Sequence, residues 1–500
     1  MSPIDVEILL PAEHVRAWHV DLVEALGEGG NAVQVATVDD GSTWGTDVDA
    51  LLQRERRLNG LRPGGSDRLP RESSSGKHAD QSAAHGGSRP DARIDLTGGP
   101  GRSGYWTLTF DDRPGEDAAV RSLLAARFPV VRVVDEHGTT LTEGRPGSEL
   151  PSVLAAALDD VLVGAVQLLT AAVAGHPLRL PAEPPGSEEA VGDVVRSPAA
   201  LSRRALATAG VRRVYRTLYR SPHWRVGWRF TDGPGVLACG VMPSDEWHDL
   251  ADDGRHFYAD PFPVVVDGRT HLFVEDFDHR VGRGVISVVE FDDHGPVGVP
   301  RPVLEHDVHL SYPHVLEDGG EIWMIPETSA AGTVELYRAR DFPDRWELHT
   351  VLLEGVDAND ATPFRHDGRW WLSATVRRNG SCSDALHLWY ADHLTGPWTA
   401  HAGNPVLVDI ASARPAGRPE QSDGRLLRPV QDGRRGYGAA LAVAEVERLD
   451  PATFVQSVVA RITPGPSWPG SRLHTLNRAG RLEVIDGSAR SARLRQRGRR

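Results

Sequence analysis

The sequence contains a single lysine, Lys77, two cysteines, Cys239 and Cys382, and no uninterrupted apolar run of about eighteen residues. Each scarcity excludes a class of chemistry. Lys77 sits in a Ser/Gly/Arg-rich stretch, so neither Schiff-base catalysis nor a P-loop phosphate site is supported, and arginine must do any cationic work. Two cysteines in 500 residues cannot build a disulfide framework or a thiolate metal centre. With no apolar run and no basic leader before residue 10, a soluble, cytoplasmic protein is expected. The formal charge of -14 argues against nucleic acid as a partner, because neutralising phosphates needs a basic surface. No cofactor fingerprint is present, and no cofactor or metal is expected.

What is there divides into domains, as the length suggests. Residues 4–10 read as a buried strand, 12–26 carry apolar residues at helical spacing (Val15, Trp18, Leu22, Val23, Leu26), and 33–38 read as a second strand, a β-α-β start to a smaller α/β domain over 1–180. Within it, about 59–91 is Gly, Ser, Pro, Arg and Asp with few apolar residues, and is expected to be a disordered insertion. An Ala/Leu/Val-rich helix is expected over 150–174. Residues 181–221 read as a Pro-rich linker followed by a basic amphipathic helix, with Arg203, Arg204, Arg212, Arg213, Arg216 and Arg220 among Leu201, Leu206, Val211, Val214 and Leu218. Two readings of that helix are open: peripheral contact with a membrane, or docking between the two domains with its arginines in water. Residues 488–500 read as a basic disordered tail, a second place for an anionic partner to bind.

After residue 250 the chain repeats. Pro261, Pro313, Pro363 and Pro415 are each followed by a polar turn, Asp267-Gly268, Asp318-Gly319, Asp367-Gly368 and Asp423-Gly424, then by an apolar strand and a second hairpin. Asp-Gly between strands is a hairpin signal, and two hairpins per unit of about fifty residues make a four-stranded blade. Four full units leave a partial fifth, which 472–485 can complete by pairing with 224–230 from before the first. The fold class is therefore mainly β, a five-bladed β-propeller over 222–487 preceded by the smaller α/β domain.

Aligning the units on their Asp-Gly turns puts Asp260, Ser311, Asp360 and Ala416 at one offset, where inner strands face the propeller axis, and puts Glu275, Glu327, Thr375 and Gln431 in a second ring, with Asp276 and Asp432 adjacent. Asp260, Asp360 and Glu327 are the catalytic candidates, because carboxylates across a cleft can act as acid and base on a glycosidic bond, or anchor sugar hydroxyls without reaction. Glu275, Ser311, Tyr312, His314, Arg414 and Asp432 are the substrate-binding candidates. Arg414 can grip an anionic group or brace the channel wall. His314 and His474 are either axial groups or ordinary hydrogen-bonded histidines. Trp323, Trp370, Trp371 and Trp389 can stack on sugars or pack the blades.

Tyr258-Ala259-Asp260-Pro261-Phe262 and Asp360-Ala361-Thr362-Pro363-Phe364 resemble the first and third blades of five-bladed glycoside hydrolases such as family 43, which implies a catalytic base at Asp260 and a residue tuning the acid at Asp360. Where those enzymes carry a general-acid glutamate, this chain has Ala413-Arg414-Pro415. The stretch 224–486, through Phe257-Tyr258-Ala259-Asp260-Pro261-Phe262, Leu310-Ser311-Tyr312-Pro313, Ile325-Pro326-Glu327, Glu335-Leu336-Tyr337-Arg338-Ala339 and Ser412-Ala413-Arg414-Pro415-Ala416-Gly417, resembles the N-terminal domain of glucosamine inositolphosphorylceramide transferase. That resemblance implies a propeller that binds or processes a glycan or glycoconjugate at its axis, in glycolipid or envelope polysaccharide metabolism. A non-catalytic scaffold supporting a glycosyltransferase partner is the alternative. Residues 1–175 resemble a formyltransferase-like domain through Ile94-Asp95-Leu96-Thr97-Gly98, Gly104-Tyr105-Trp106 and Thr142-Glu143-Gly144, and lack the Asn-x-His-Pro-Ser loop that holds the formyl donor, which implies a degenerate site.

Overall fold

The computed structural model describes residues 3–38, 44–69, 90–99, 101–184 and 217–493 apart from 245, 246 and 469, together with scattered positions between 197 and 215. The N-terminal region begins as expected, with β1 (Asp5–Pro11), α1 (Ala17–Glu28) and β2 (Ala32–Val38), followed by α2 (Thr46–Asn59). After it come β3 (Ala92–Asp95), β4 (Trp106–Phe110), the two-residue β5 (Arg113–Pro114), α3 (Glu116–Leu124), β6 (Val131–Val134), β7 (Thr140–Gly144) and α4 (Leu154–Val173). The sheet runs β2-β1-β3-β4-β6-β7, parallel through β4 and antiparallel beyond it. By length and composition α4 could cross a membrane, but Leu158, Val161, Leu162, Ala165 and Leu168 are buried in the core of this domain.

Residues 60–69 correct the expected disorder. The α1 backbone N–H groups of Ala17 and Trp18 donate to the carbonyls of Asp67 and Gly65, and Arg56 pairs with both Asp67 and Asp159. The stretch has few apolar residues, Leu61 and Leu69 packing against the core, and hydrogen bonds and ion pairs hold the rest. Asp91 is likewise tied to β1 through its N–H to the Asp5 carbonyl. The rest of that expected insertion, 70–89, lies outside the described residues.

Five sheets follow, each the blade of a propeller. The first four blades run from His256 to Leu304, Ser311 to Glu354, Ala358 to Ala400 and Glu420 to Ile462, every one an antiparallel sheet in sequence order, and Leu407–Val408 also pairs with the third. In the fifth, Leu476–Ala479 and Leu482–Ser488 are joined by Trp224–Phe230 and His248–Asp249 from before the first blade. The two ends of the domain thus share one sheet, which removes the free edges an open array would expose. Trp323, Trp370, Trp371 and Trp389 are buried among blade residues.

Register differs from the sequence alignment in one blade. Val266 pairs with Arg269, His366 with Arg369 and Ser422 with Arg425, so those turns are the expected Asp-Gly pairs; in blade two Asp318 pairs with Glu321 and the turn is Gly319-Gly320. Both turn positions need positive φ, and two glycines meet that need without the aspartate. The axial offset therefore falls on Tyr312, not Ser311. At the outer end of the domain, Ser491–Ala492 pair with Tyr219–Arg220, so 488–493 is structured where a disordered tail is expected; 494–500 lies outside the described residues. Of the basic helix, the described positions 203, 207, 210, 211, 213, 214, 217 and 218 are helical and exposed, and 200 and 215 are half-buried, so none of the described positions is buried between the domains.

The domains share a core instead through blade three's last loop. Val408 and Ile410 are buried with β6, β7 and α4 side chains, and the Arg145 N–H donates to the Val408 carbonyl at 2.8 Å while the Ile410 N–H donates to the Arg145 carbonyl at 2.9 Å. Ile410→Ala is expected to destabilise the whole chain by about 2–5 kcal/mol, with both domains unfolding together in denaturant; an unchanged midpoint, or loss of one domain alone, would contradict the shared core.

Candidate functional site

The inner strands of blades one, two and three each carry an irregularity at the axis. Pairing skips between Ala259 and Phe262, between Ser311 and His314, and between Asn359 and Thr362, and within each skip Asp260, Tyr312 and Asp360 adopt positive φ of 48, 45 and 54°. Such a bulge leaves one residue unpaired and re-aims its side chain. Positive φ is uncommon for a non-glycine residue and strained for a bulky one such as Tyr312. Its hydroxyl is held at both sides, bonding Thr362 Oγ1 at 2.9 Å and accepting the Gly417 N–H at 2.7 Å. Gly417 is required by blade five: a Cβ there would lie 2.0 Å from the Leu476 carbonyl oxygen.

Two clusters of charge result. In the first, Asp260 Oδ1 lies 3.1 Å from His474 Nδ1 and accepts the Thr475 hydroxyl at 2.8 Å, and Oδ2 accepts the Tyr312 N–H at 3.3 Å. The Asp260 N–H donates to Asp486 Oδ2 at 2.9 Å, and Asp486 also faces His474 at 3.3 Å. Burial opposes charge on all of these groups, yet His474 and Thr475 hold Asp260 below its ordinary value, while Tyr437, Asp486 and Asp260 hold His474 well above its own. Burial and the Asp260 charge push Asp486 up. Protonated His474 donates Nε2–H to the Tyr437 hydroxyl at 2.6 Å. Asp260, His474 and Asp486 present ligand atoms within 4.8 Å of one another, a set able to hold a metal ion; the imidazolium supplies positive charge at the same point.

In the second cluster Arg414 Nε donates to Asp360 Oδ2 at 2.6 Å, its Nη1 to the Cys382 carbonyl at 3.2 Å, and its Nη2 lies 4.0 Å from Glu327 Oε2. Gln431 also donates to Asp360, and Glu327 accepts the Asp360 N–H at 2.9 Å. Burial pushes the Asp360 carboxyl up to about 7, with Arg414 pulling it down and the Glu327 and Asp260 charges adding to the rise. Asp260 and Asp360 thus share one electrostatic environment. Glu275, paired in register with Ala259, is pushed well above the carboxylate range by burial and the Asp260 charge, and its Oε1 lies 3.4 Å from His309 Nε2. Glu275 is buried, and Glu327 and His309 are half-buried.

Arg414 stands in the second cluster, and three other candidates fall elsewhere. Arg414 is engaged with Asp360 and the Cys382 carbonyl at the channel wall. His314 is 1 % exposed and packs on Phe262, with burial and Arg418 lowering its pKa, and it joins neither cluster. Asp432 pairs with Arg434 and Arg461, and Arg461 continues to Glu183 and thence to Arg145, an ion network that ties the linker to blade four. Ser311 pairs across the strand with Glu327 and is not the axial residue.

Residues 236–485 match the family described as glucosamine inositolphosphorylceramide transferase 1, N-terminal, which is half of the chain. The chain belongs to that family. Glucosamine inositolphosphorylceramide transferase 1 of Arabidopsis thaliana is 33% identical over 233 residues, covering 44% of this chain and 30% of the relative, and that of Oryza sativa subsp. japonica is 32% identical over 250 residues, covering 46% and 33%. The chain thus spans about a third of the length of the curated relatives it matches. Among solved structures it is similar to a thermostable family-43 glycoside hydrolase (14% identity, 43% of this chain and 78% of that one, TM-score 0.32) and to a family 117 glycoside hydrolase from Zobellia galactanivorans (13% identity, 52% and 89%, TM-score 0.33).

Asp486, Thr475 and Tyr437 are members of the cluster that alignment on the turns does not find. Blade five turns at Gly480-Arg481, with Ala479 paired to Leu482, and has no Asp-Gly to anchor the comparison, so its inward residues carry no offset signal. Tyr437 lies in the loop before a blade-four strand, where no repeat applies.

Two outcomes test these assignments. Arg414→Ala strands buried carboxylates and is expected to cost about 3–5 kcal/mol of stability, part of it recovered by combining it with Asp360→Asn; a cost under about 1 kcal/mol would rule out the pairing as drawn. Asp360 holds its proton more tightly folded than unfolded, so its contribution is greatest in acid and is lost as pH rises from about 4 to about 7, by about 1.4 kcal/mol for each unit crossed. Denaturant unfolding across that window is expected to show a shallower fall in Asp360→Asn than in the parent, and equal slopes would count against the raised carboxyl.

Proposed function

We propose that the propeller binds a glycan at its axial funnel, and that the ligand belongs to the amino-sugar and inositol-linked class named in its relatives. The observation that carries this reading is the convergence of Asp260, Glu275, Glu327 and Asp360, from three blades, on the axis, where Glu275 meets the half-buried His309. Carboxyl groups at that depth exchange hydrogen bonds with sugar hydroxyls, and water exclusion strengthens those contacts. Binding is favoured over hydrolysis by the state of Asp260. Three of its acceptor positions are already taken by His474, Thr475 and the Tyr312 N–H, and at 3 % exposure it is poorly placed to activate a water.

The same mutual satisfaction favours a second reading, a propeller that supports a glycosyltransferase partner and uses its axis only to hold the blades together. Titration calorimetry of the full chain with glucosamine, inositol and glucosaminyl-inositol glycans separates the two. Glycan binding is expected, weakened by about 1–3 kcal/mol in Glu327→Gln and in Glu275→Gln. No heat with any of these sugars, or affinity indifferent to both substitutions, would leave the scaffold reading in its place.

A further inference from the structure

An amphipathic helix normally owes its stability to burial of its apolar face, because short helices are marginal in water by themselves. Among its described residues, the helix ahead of the propeller has none that is buried. Val211 is 69 % exposed, Val214 59 % and Leu218 46 %, and these three lie one turn apart along a single face. Tyr215 and Tyr219 stack at 4.9 Å beside that face. Arg203 and Arg213 are exposed in the same segment. From 194 to 231 the sequence has no acidic residue, although the whole chain carries a net charge of -14.

The C-terminal end of the helix is anchored. Its last turn runs into Tyr219–Arg220, which pairs with Ser491–Ala492, and the Arg493 N–H donates to the Leu218 carbonyl at 2.9 Å. A second basic segment, over 270 residues away in sequence, is thereby brought to the base of the same helix, since Arg493 Nε also donates to the Tyr219 carbonyl.

We propose that this helix is a membrane-surface element that lies in the headgroup region of an anionic bilayer, with Val211, Val214 and Leu218 entering the acyl boundary. An exposed apolar stripe beside arginines, with tyrosines at the margin, matches the needs of that interface: apolar area for the hydrocarbon, positive charge for the lipid phosphates, and amphipathic rings between them. Charge selects the bilayer over a second copy of the chain, whose net negative charge does not extend to this segment, so that stacking helix on helix would oppose arginine to arginine. The reading is independent of what the propeller binds.

Vesicle sedimentation of the full chain decides it. With phosphatidylcholine vesicles containing about 30 mol % phosphatidylserine, the chain is expected to partition at least about tenfold more strongly than with phosphatidylcholine alone, and to be released as salt is raised. Val211→Asp with Leu218→Asp, and separately Arg203→Glu with Arg213→Glu, are each expected to reduce partitioning by about tenfold or more. Their unfolding midpoints should match the parent's, since these side chains are exposed. Equal partition to neutral and anionic vesicles, no partition, or retention by both variants overturns the proposal. So does a parent chain that is dimeric by light scattering, becomes monomeric in Val211→Asp with Leu218→Asp, and ignores vesicles, which would make a second copy the occupant of this face.

Discussion

The Asp260 carboxylate accepts from the Thr475 hydroxyl at the entry to blade five and from the Tyr312 N–H of blade two, while its own N–H donates to Asp486, so one side chain fixes three blades about the axis. Around the ring, Glu327 of blade two serves the Asp360 N–H of blade three, and Arg414 and Gln431 of blade four close on the Asp360 side chain. A propeller's blades are otherwise joined face to face by apolar packing, which is tolerant of small rotations. Buried charge pairs are not tolerant, because a broken one leaves an uncompensated ion. They add little net stability and much geometric definition.

That demand for compensation reaches into the N-terminal domain. Glu149 accepts from the Ser381 hydroxyl at 2.7 Å and from the Cys382 N–H at 3.1 Å, and the Cys382 carbonyl in turn accepts from Arg414. Gly147 donates to Asp384 at 3.0 Å on the same loop. The loop that shapes the arginine's pocket is therefore held from outside the propeller, by a stretch that also shares its hydrophobic core through Val408 and Ile410. The smaller domain is part of the wall behind the axis.

Two opposite uses of arginine follow from the near absence of lysine. Arg414, 4 % exposed, makes directed bonds from a planar fork and keeps its charge at any pH the protein meets. Along the basic helix Arg203 and Arg213 stand in solvent beside exposed valines and leucine, where net charge and apolar area matter more than the direction of any one bond. One residue type serves a buried lattice and an open surface.

The sequence by itself determined the propeller: the spacing of Pro261, Pro313, Pro363 and Pro415, the Asp-Gly turns, and the apolar strand after each one fix four blades, and the leftover strands at 224–230 and 482–488 leave a single way to close the fifth. It determined too that Asp260 and Asp360 face the axis, since both stand at one offset from turns of the same type. Those are local signals, carried by backbone preference and period. Only the tertiary structure decided the partners. Tyr312 in place of Ser311 rests on a one-residue change of turn, Asp486 and Thr475 come from a blade without the repeat's turn, and Arg414 turns inward because Asp360 is there to meet it across 54 positions of chain. Which charges meet is set by how five sheets pack around an axis, and no period in the sequence encodes the distance between them.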